Sequence, residues 1–113
     1  MVDKHILLVA QVVREHLDDP NWVVVDCRSL LSDHEFGRRS YTENHIPGAV
    51  FLDLDEDLAG PVAPDTGRHP LPEVDSIVAA LGAVGIENSS NVVVYDQDNG
   101  AIAARAWWIL RWL

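Results

Sequence analysis

Two places in this 113-residue chain have residue types that could do chemistry. The first is the loop Asp96-Gln97-Asp98-Asn99-Gly100-Ala101, between the β-branched run 92–96 and an apolar stretch that begins near Gly100. A strand-to-helix turn gathers backbone N–H groups at the positive end of the helix. That is where α/β proteins hold anions and activate nucleophiles. Yet this loop contains no Cys, Ser, Lys or Arg. The second place is Cys27, the single cysteine, directly after the run 22–26. A thiol at the C-terminal end of a strand lies where open α/β sheets bind ligands. The competing reading is a small buried apolar residue, as free cysteine commonly is, and that reading is preferred here. One cysteine forms no intrachain disulfide and gives no sign of an oxidising compartment. The five histidines, His5, His16, His34, His45 and His69, are scattered, and none is spaced from a cysteine as a zinc ligand would be.

These groups need a scaffold, and the hydrophobic pattern supplies one. Residues 5–18 put Ile6, Val9, Ala10, Val13 and Leu17 on one helical face, ending at Asp19-Pro20-Asn21. The runs 22–26, 49–55 and 92–96 predict three strands. The first, WVVVD, lacks alternation, as expected of a strand covered on both faces. Residues 29–44 are polar and mixed and predict a loop with a short helical turn near 39–44. His45-Ile46-Pro47-Gly48 is a turn signal. Pro61, Pro64, Pro70 and Pro72 make residues 56–72 a long loop, a kind that is usually functional or mobile. Residues 73–84 predict a helix with Val74, Ile77, Val78 and Leu81 facing inward, and a last helix begins near Gly100. The order is αβ, loop, β, loop, αβα, which argues for a parallel sheet covered by helices.

Hydrophobic residues make up 48% of the chain, enough for one packed domain, and no apolar run is long enough to span a bilayer. The net charge of −10 opposes binding to nucleic acid or to an anionic membrane surface. The N-terminal stretch lacks a small-residue cleavage site and reads as a helix of the mature protein, so cytoplasmic localisation is the expectation. The last helix is apolar around most of its circumference, with Ile102, Ala106, Ile109 and Leu113 on one face and Ala103, Trp107 and Leu110 on another. A helix of that kind should be buried on most sides. With only three strands, the pattern reads as a domain truncated at its C-terminus, lacking at least one strand and one helix.

Taken in order, VVDCR, YTENHIPGAVFLDLDEDL, GRHPLP and VVVYDQDNGAIAARAWWILRWL resemble the N-terminal domain of two-domain rhodanese-type sulfurtransferases, the thiosulfate and 3-mercaptopyruvate enzymes. The resemblance covers nearly the whole chain and implies one rhodanese-like α/β domain over 1–113. It implies a second rhodanese domain in cis as partner, with the active site between the two. In that family the catalytic Cys belongs to the second domain's strand-to-helix loop. A Cys there takes sulfur from a small anionic donor as a persulfide and passes it to a thiophilic acceptor, with no metal or organic cofactor. Here Asp96 stands where that Cys would sit, so Asp96, Asp98 and Asn99 read as cap and filler of a disused anion nest. The chain alone is expected to be inactive.

The resemblance also assigns Asp55 and His69 to a supporting relay found in mercaptopyruvate-type members, completed by a Ser of the second domain. A carboxylate fixes the imidazole tautomer, and the imidazole moves the proton. This leans the donor toward 3-mercaptopyruvate. The alternatives stay open: Asp55 as a helix N-cap before Glu56-Asp57-Leu58, His69 as a surface-loop histidine. Ser89 and Ser90 lie in a turn and are poor substitutes for the missing Ser. Asp26 and Arg28 are expected to brace the loop beside the first strand, and His45 to fix the turn before the second. Arg38 and Arg39 read as solvated charges in preference to an anion site. Trp107, Trp108 and Trp112 read as core or interdomain packing, with a homo-oligomer through the last helix possible. Two rival functions remain, a single-domain sulfurtransferase using Cys27 and a non-enzymatic binding module.

Overall fold

The computed structural model describes residues 7–113. Seven elements follow one another: α1 (Ala10–Glu15), β1 (Trp22–Asp26), α2 (Phe36–Glu43), β2 (Val50–Phe51), α3 (Val74–Ala83), β3 (Asn91–Tyr95) and α4 (Ala101–Trp112). The strands form one parallel sheet in the order β2-β1-β3, with β1 central. Trp22 pairs with Asn91, Asp26 with Tyr95 and, on the other side, with Phe51. The carboxyl ends of all three strands therefore finish together, which puts Asp26, Cys27, Asp53, Asp55 and Asp96 along one edge of the sheet.

The sheet carries helices on both faces. On one, Ile77 and Leu81 of α3 and Ala106 and Ile109 of α4 pack with Val25, Cys27, Leu52, Leu54 and Leu58 to form the core. On the other, Val13 and Leu17 line an apolar cavity with Val93 and Tyr95, and Tyr41 of α2 meets the Phe51 ring at 5.5 Å. Gly37 makes the close approach of α2 possible, because a Cβ there would lie 2.0 Å from the Arg28 carbonyl oxygen. Among the described residues no helix is long and apolar enough to cross a membrane.

Several elements differ from expectation. The second strand is two residues, not the stretch 49–55, because Asp53 ends it. The Asp53 carboxylate accepts the N–H groups of Asp55 and Glu56 (3.0 and 2.8 Å), and its carbonyl takes those of Asp57 and Leu58, which winds the chain into a turn. The helical turn near 39–44 is a full helix starting at Phe36, with Asp33 accepting the Glu35 and Phe36 N–H groups ahead of it. The first helix is confined to Ala10–Glu15, and Val9 and Ala10 of its expected inner face are exposed. Residues 5 and 6 of that prediction lie outside the described residues. On α3 only Ile77 and Leu81 point inward; Val74 and Val78 are about half exposed. Val78 borders a cavity of about 710 Å³ with Ile86, Val92, Trp107, Leu110 and Leu113, so its apolar face is open. The last helix buries Ala103, Ala106 and Ile109, but Trp108 and Trp112 stack on each other at 5.8 Å on its exposed side.

Candidate functional site

The loop after β3 is built around one carboxylate. Asp96 Oδ1 accepts the backbone N–H groups of Asp98 and Gly100, and Oδ2 accepts those of Ile102 and Ala103, all at 3.0–3.1 Å. Asn99 Oδ1 takes the Ala101 N–H, and Gly100 adopts a left-handed φ of 87°, which lets the loop turn into α4. The N–H groups that a strand-to-helix nest would offer to an anion are thus satisfied by the chain's own carboxylate. Burial would raise the Asp96 pKa, but the four N–H donors outweigh it, and the net shift is downward. Asp98 contributes only its backbone to this arrangement.

Cys27 is fully buried in the core. Burial, helped by the charges of Asp26 and Asp96, pushes its thiol up to about 12. At neutral pH it is a thiol in apolar surroundings, with no thiolate to attack a donor.

Next to it, Asp26 is wholly buried and serves as the hub of a polar cluster. It accepts the Arg28 backbone N–H at 2.9 Å, Arg28 Nε and Nη2 at 2.7–3.1 Å, and the Tyr95 hydroxyl at 2.9 Å. The same Arg28 Nη2 donates to the Asn44 carbonyl at 2.6 Å, tying the end of α2 to the strand end. His45 Nδ1 lies 2.7 Å from the Tyr41 carbonyl while its ring stacks on Tyr41, which fixes the turn into β2. Arg38 pairs with Glu56 and Arg39 with Asp33, each about half exposed; both act as surface ion pairs.

Asp55 and His69 meet. Asp55 Oδ1 is 3.0 Å from His69 Nε2, and Oδ2 is 3.0 Å from His34 Nδ1. A carboxylate only accepts, so each facing nitrogen carries the proton, and His69 Nδ1 is left as the unprotonated position of a neutral ring. The turn's N-cap is Asp53, not Asp55, which leaves the Asp55 carboxylate free for the imidazoles. His69 is held by its loop: Arg105 Nε donates to the Leu58 carbonyl and Nη2 to the Pro70 carbonyl, at 2.9 and 3.0 Å. Gln97 exchanges two hydrogen bonds with the Ser29 backbone, joining the β3–α4 loop to the segment after β1.

Between these parts lies a cleft of about 480 Å³ lined by Leu54, Arg68, His69, Asp96, Gln97 and Arg105, among others. The larger cavity beside Val78 and Trp107 is at the far end of α4 and has no imidazole in its lining, whereas His69 borders both the smaller cleft and a cavity of about 420 Å³ that it shares with Asp55. Sequence reasoning missed His34, Gln97 and Arg105. Only Arg105, one of two charges on an otherwise apolar helix, carried a signal. Among the described residues no cluster of three or more His, Cys, Asp or Glu side chains could hold a metal ion.

A short parallel sheet with its acids, its thiol and its helix-capped loop at the carboxyl ends defines an α/β domain with a site at the strand ends. The family model described as Rhodanese-like domain matches residues 9–113, and the chain belongs to that family. It is 51% identical over 108 residues to a probable 3-mercaptopyruvate sulfurtransferase of Pseudomonas aeruginosa, covering 95% of this chain and 38% of that protein. It is 36% identical to the 3-mercaptopyruvate sulfurtransferase of Escherichia coli, covering 90% and 36%. The solved 3-mercaptopyruvate sulfurtransferase from Leishmania major superposes with a TM-score of 0.86 at 32% identity, covering 97% of this chain and 31% of that one. The chain thus spans about a third of the length of the relatives it matches.

Proposed function

We propose that this chain is the N-terminal, catalytically silent domain of a two-domain sulfurtransferase. In the complete protein a Cys on a second rhodanese domain takes sulfane sulfur from 3-mercaptopyruvate or thiosulfate as a persulfide and gives it to a thiophilic acceptor. The observation that carries the reading is Asp96. Its carboxylate fills the seat at the start of α4 with four N–H bonds, and a carboxylate neither accepts nor releases sulfur. The burial of Cys27 supports the same reading, since no donor reaches that thiol.

The chain's own contribution is a proton path. When the C–S bond of 3-mercaptopyruvate breaks toward the attacking thiolate, its electrons pass to the carbon as an enolate. That carbon must gain a proton to become pyruvate. His69, held through Nε2 by Asp55, presents its unprotonated Nδ1 to a hydroxyl of the partner domain, takes up through it the proton that the substrate thiol loses, and returns that proton by the same path to the enolate carbon. Thiosulfate releases sulfite without forming a carbanion and needs this path less, so 3-mercaptopyruvate is the favoured donor. The chemistry proposed runs on cysteine sulfur alone, without metal or organic cofactor, and cytoplasmic localisation belongs to the same reading.

The experiment is Cys27→Ser in a two-domain protein carrying this chain. Sulfur transfer from 3-mercaptopyruvate continues at the native rate if the nucleophile lies on the other domain. Loss of transfer in folded protein overturns the reading.

A further inference from the structure

Four acids crowd the turn after β2, and three of them are already committed. Asp53 caps the turn, Asp57 Oδ2 accepts the Asp53 N–H at 2.7 Å, and Glu56 pairs with Arg38. Asp33, one of the two acids flanking His34 in sequence, is taken by Arg39 at 2.7 Å. Asp55 alone receives imidazoles, and it receives two, one on each oxygen. His34 and His69 both border a cavity of about 420 Å³ with Leu31, Val62 and Arg68.

The two contacts are unequal in setting. The His69 side chain is 19% exposed and the His34 side chain 78%. Asp55 lies between them at 41%. A half-exposed carboxylate held through one oxygen is free to rotate about its terminal bond and to exchange its partner for water. Held through both oxygens it has one orientation.

We infer that His34 is a positioning residue: it engages Asp55 Oδ2 so that Oδ1 stays on His69 Nε2, which keeps His69 in the tautomer whose free nitrogen is Nδ1. The inference rests on the relay reading for its functional meaning but not for its geometry. His34 touches no substrate; it acts through Asp55. Arg68, on the same cavity wall, has no carboxylate partner among the described residues and leaves both oxygens of Asp55 to the imidazoles.

The test uses this chain, labelled with ¹⁵N, and the two-bond ¹H–¹⁵N imidazole correlations at about pH 8, above the usual imidazole titration range. Native protein is expected to hold His69 in the Nε2–H form. His34→Ala shifts the His69 tautomer ratio toward the mixture by about threefold or more, the size expected for losing one solvent-exposed pair with a charged group. His34→Gln, which keeps an N–H donor, restores most of the native ratio, and Asp55→Ala, which removes the acceptor, abolishes the preference. Because His34 is exposed, these variants keep the fold, checked by the unchanged backbone amide spectrum. A native His69 ratio in His34→Ala overturns the inference, even if His69→Ala lowers turnover in the complete protein. A shifted ratio supports it, even if His69→Ala leaves turnover intact, in which case the relay reading is what fails.

Discussion

His69→Ala, in a two-domain protein carrying this chain, is expected to lower kcat/KM for 3-mercaptopyruvate by about 10²–10⁴, the usual worth of a positioned general acid–base group. With thiosulfate as donor the same variant should lose less than about tenfold, because no carbon has to be protonated. The prediction follows from the geometry at the Asp55 turn. His69 is the less exposed of the two imidazoles, it is fixed through Nε2, and its loop is clamped by Arg105 to the carbonyls of Leu58 and Pro70. Steady-state kinetics with both donors checks it. Equal losses with the two donors would mean that His69 serves folding or binding in general and not proton transfer.

The largest effect on stability is expected at Asp26. Asp26→Ala leaves Arg28 and Tyr95 without the acceptor that satisfies them in the interior, and costs about 3–5 kcal/mol, as breaking a buried ion pair generally does. Against a total of about 5–15 kcal/mol for a typical domain, the loss takes a large share of the stability and should move the unfolding midpoint to markedly lower denaturant. The effect is structural in kind. Asp26 ties the end of β1 to Tyr95 at the end of β3 and, through Arg28, to Asn44 at the end of α2. Burial and the neighbouring Asp26 push the Tyr95 hydroxyl up to about 12, so it remains a donor across the working range. Urea denaturation followed by tryptophan fluorescence reads the loss. Asp26→Asn should fall between native and Ala, since its amide oxygen still accepts a hydrogen bond but carries no charge.

Much of the fold was legible because its signals are local. Three consecutive valines in each of the runs 22–26 and 92–96 favour strands covered on both faces. The 3.6-residue spacing of Ile77 and Leu81, and of Ala106 and Ile109, favours helices. The second strand was overestimated because Phe51-Leu52-Asp53-Leu54-Asp55 alternates like a strand. The side chain of Asp53 competes with the ladder for the next N–H groups and wins. α2 was underestimated because FGRRSYTE carries little apolar periodicity, and its placement depends on Gly37 fitting against the Arg28 carbonyl, a long-range fact. Val74 and Val78 were expected inside because periodicity marks an apolar face without saying whether another element covers it.

The site divides in the same way. Asp96 as the filler of its own loop was reached through resemblance, which put it where the family's Cys would sit, and residue type agrees, since an acid at the start of a strand-to-helix turn finds N–H groups nearby. The pairing of Asp55 with His69 was reached through resemblance, because loop 56–72 has no periodicity to fix where His69 comes to rest. His34 was not readable at all. It lies 21 positions before Asp55, in a polar loop, and nothing local indicates that it folds onto the same carboxylate.

The central claim is that this domain does not itself take up sulfur. The most direct measurement is the intact mass of the folded chain before and after incubation with thiosulfate and, separately, with 3-mercaptopyruvate. The account predicts no adduct from either donor, since Cys27 is buried and Asp96 occupies the loop. One added sulfur that cyanide removes, and that Cys27→Ser abolishes, would contradict it and make Cys27 the nucleophile.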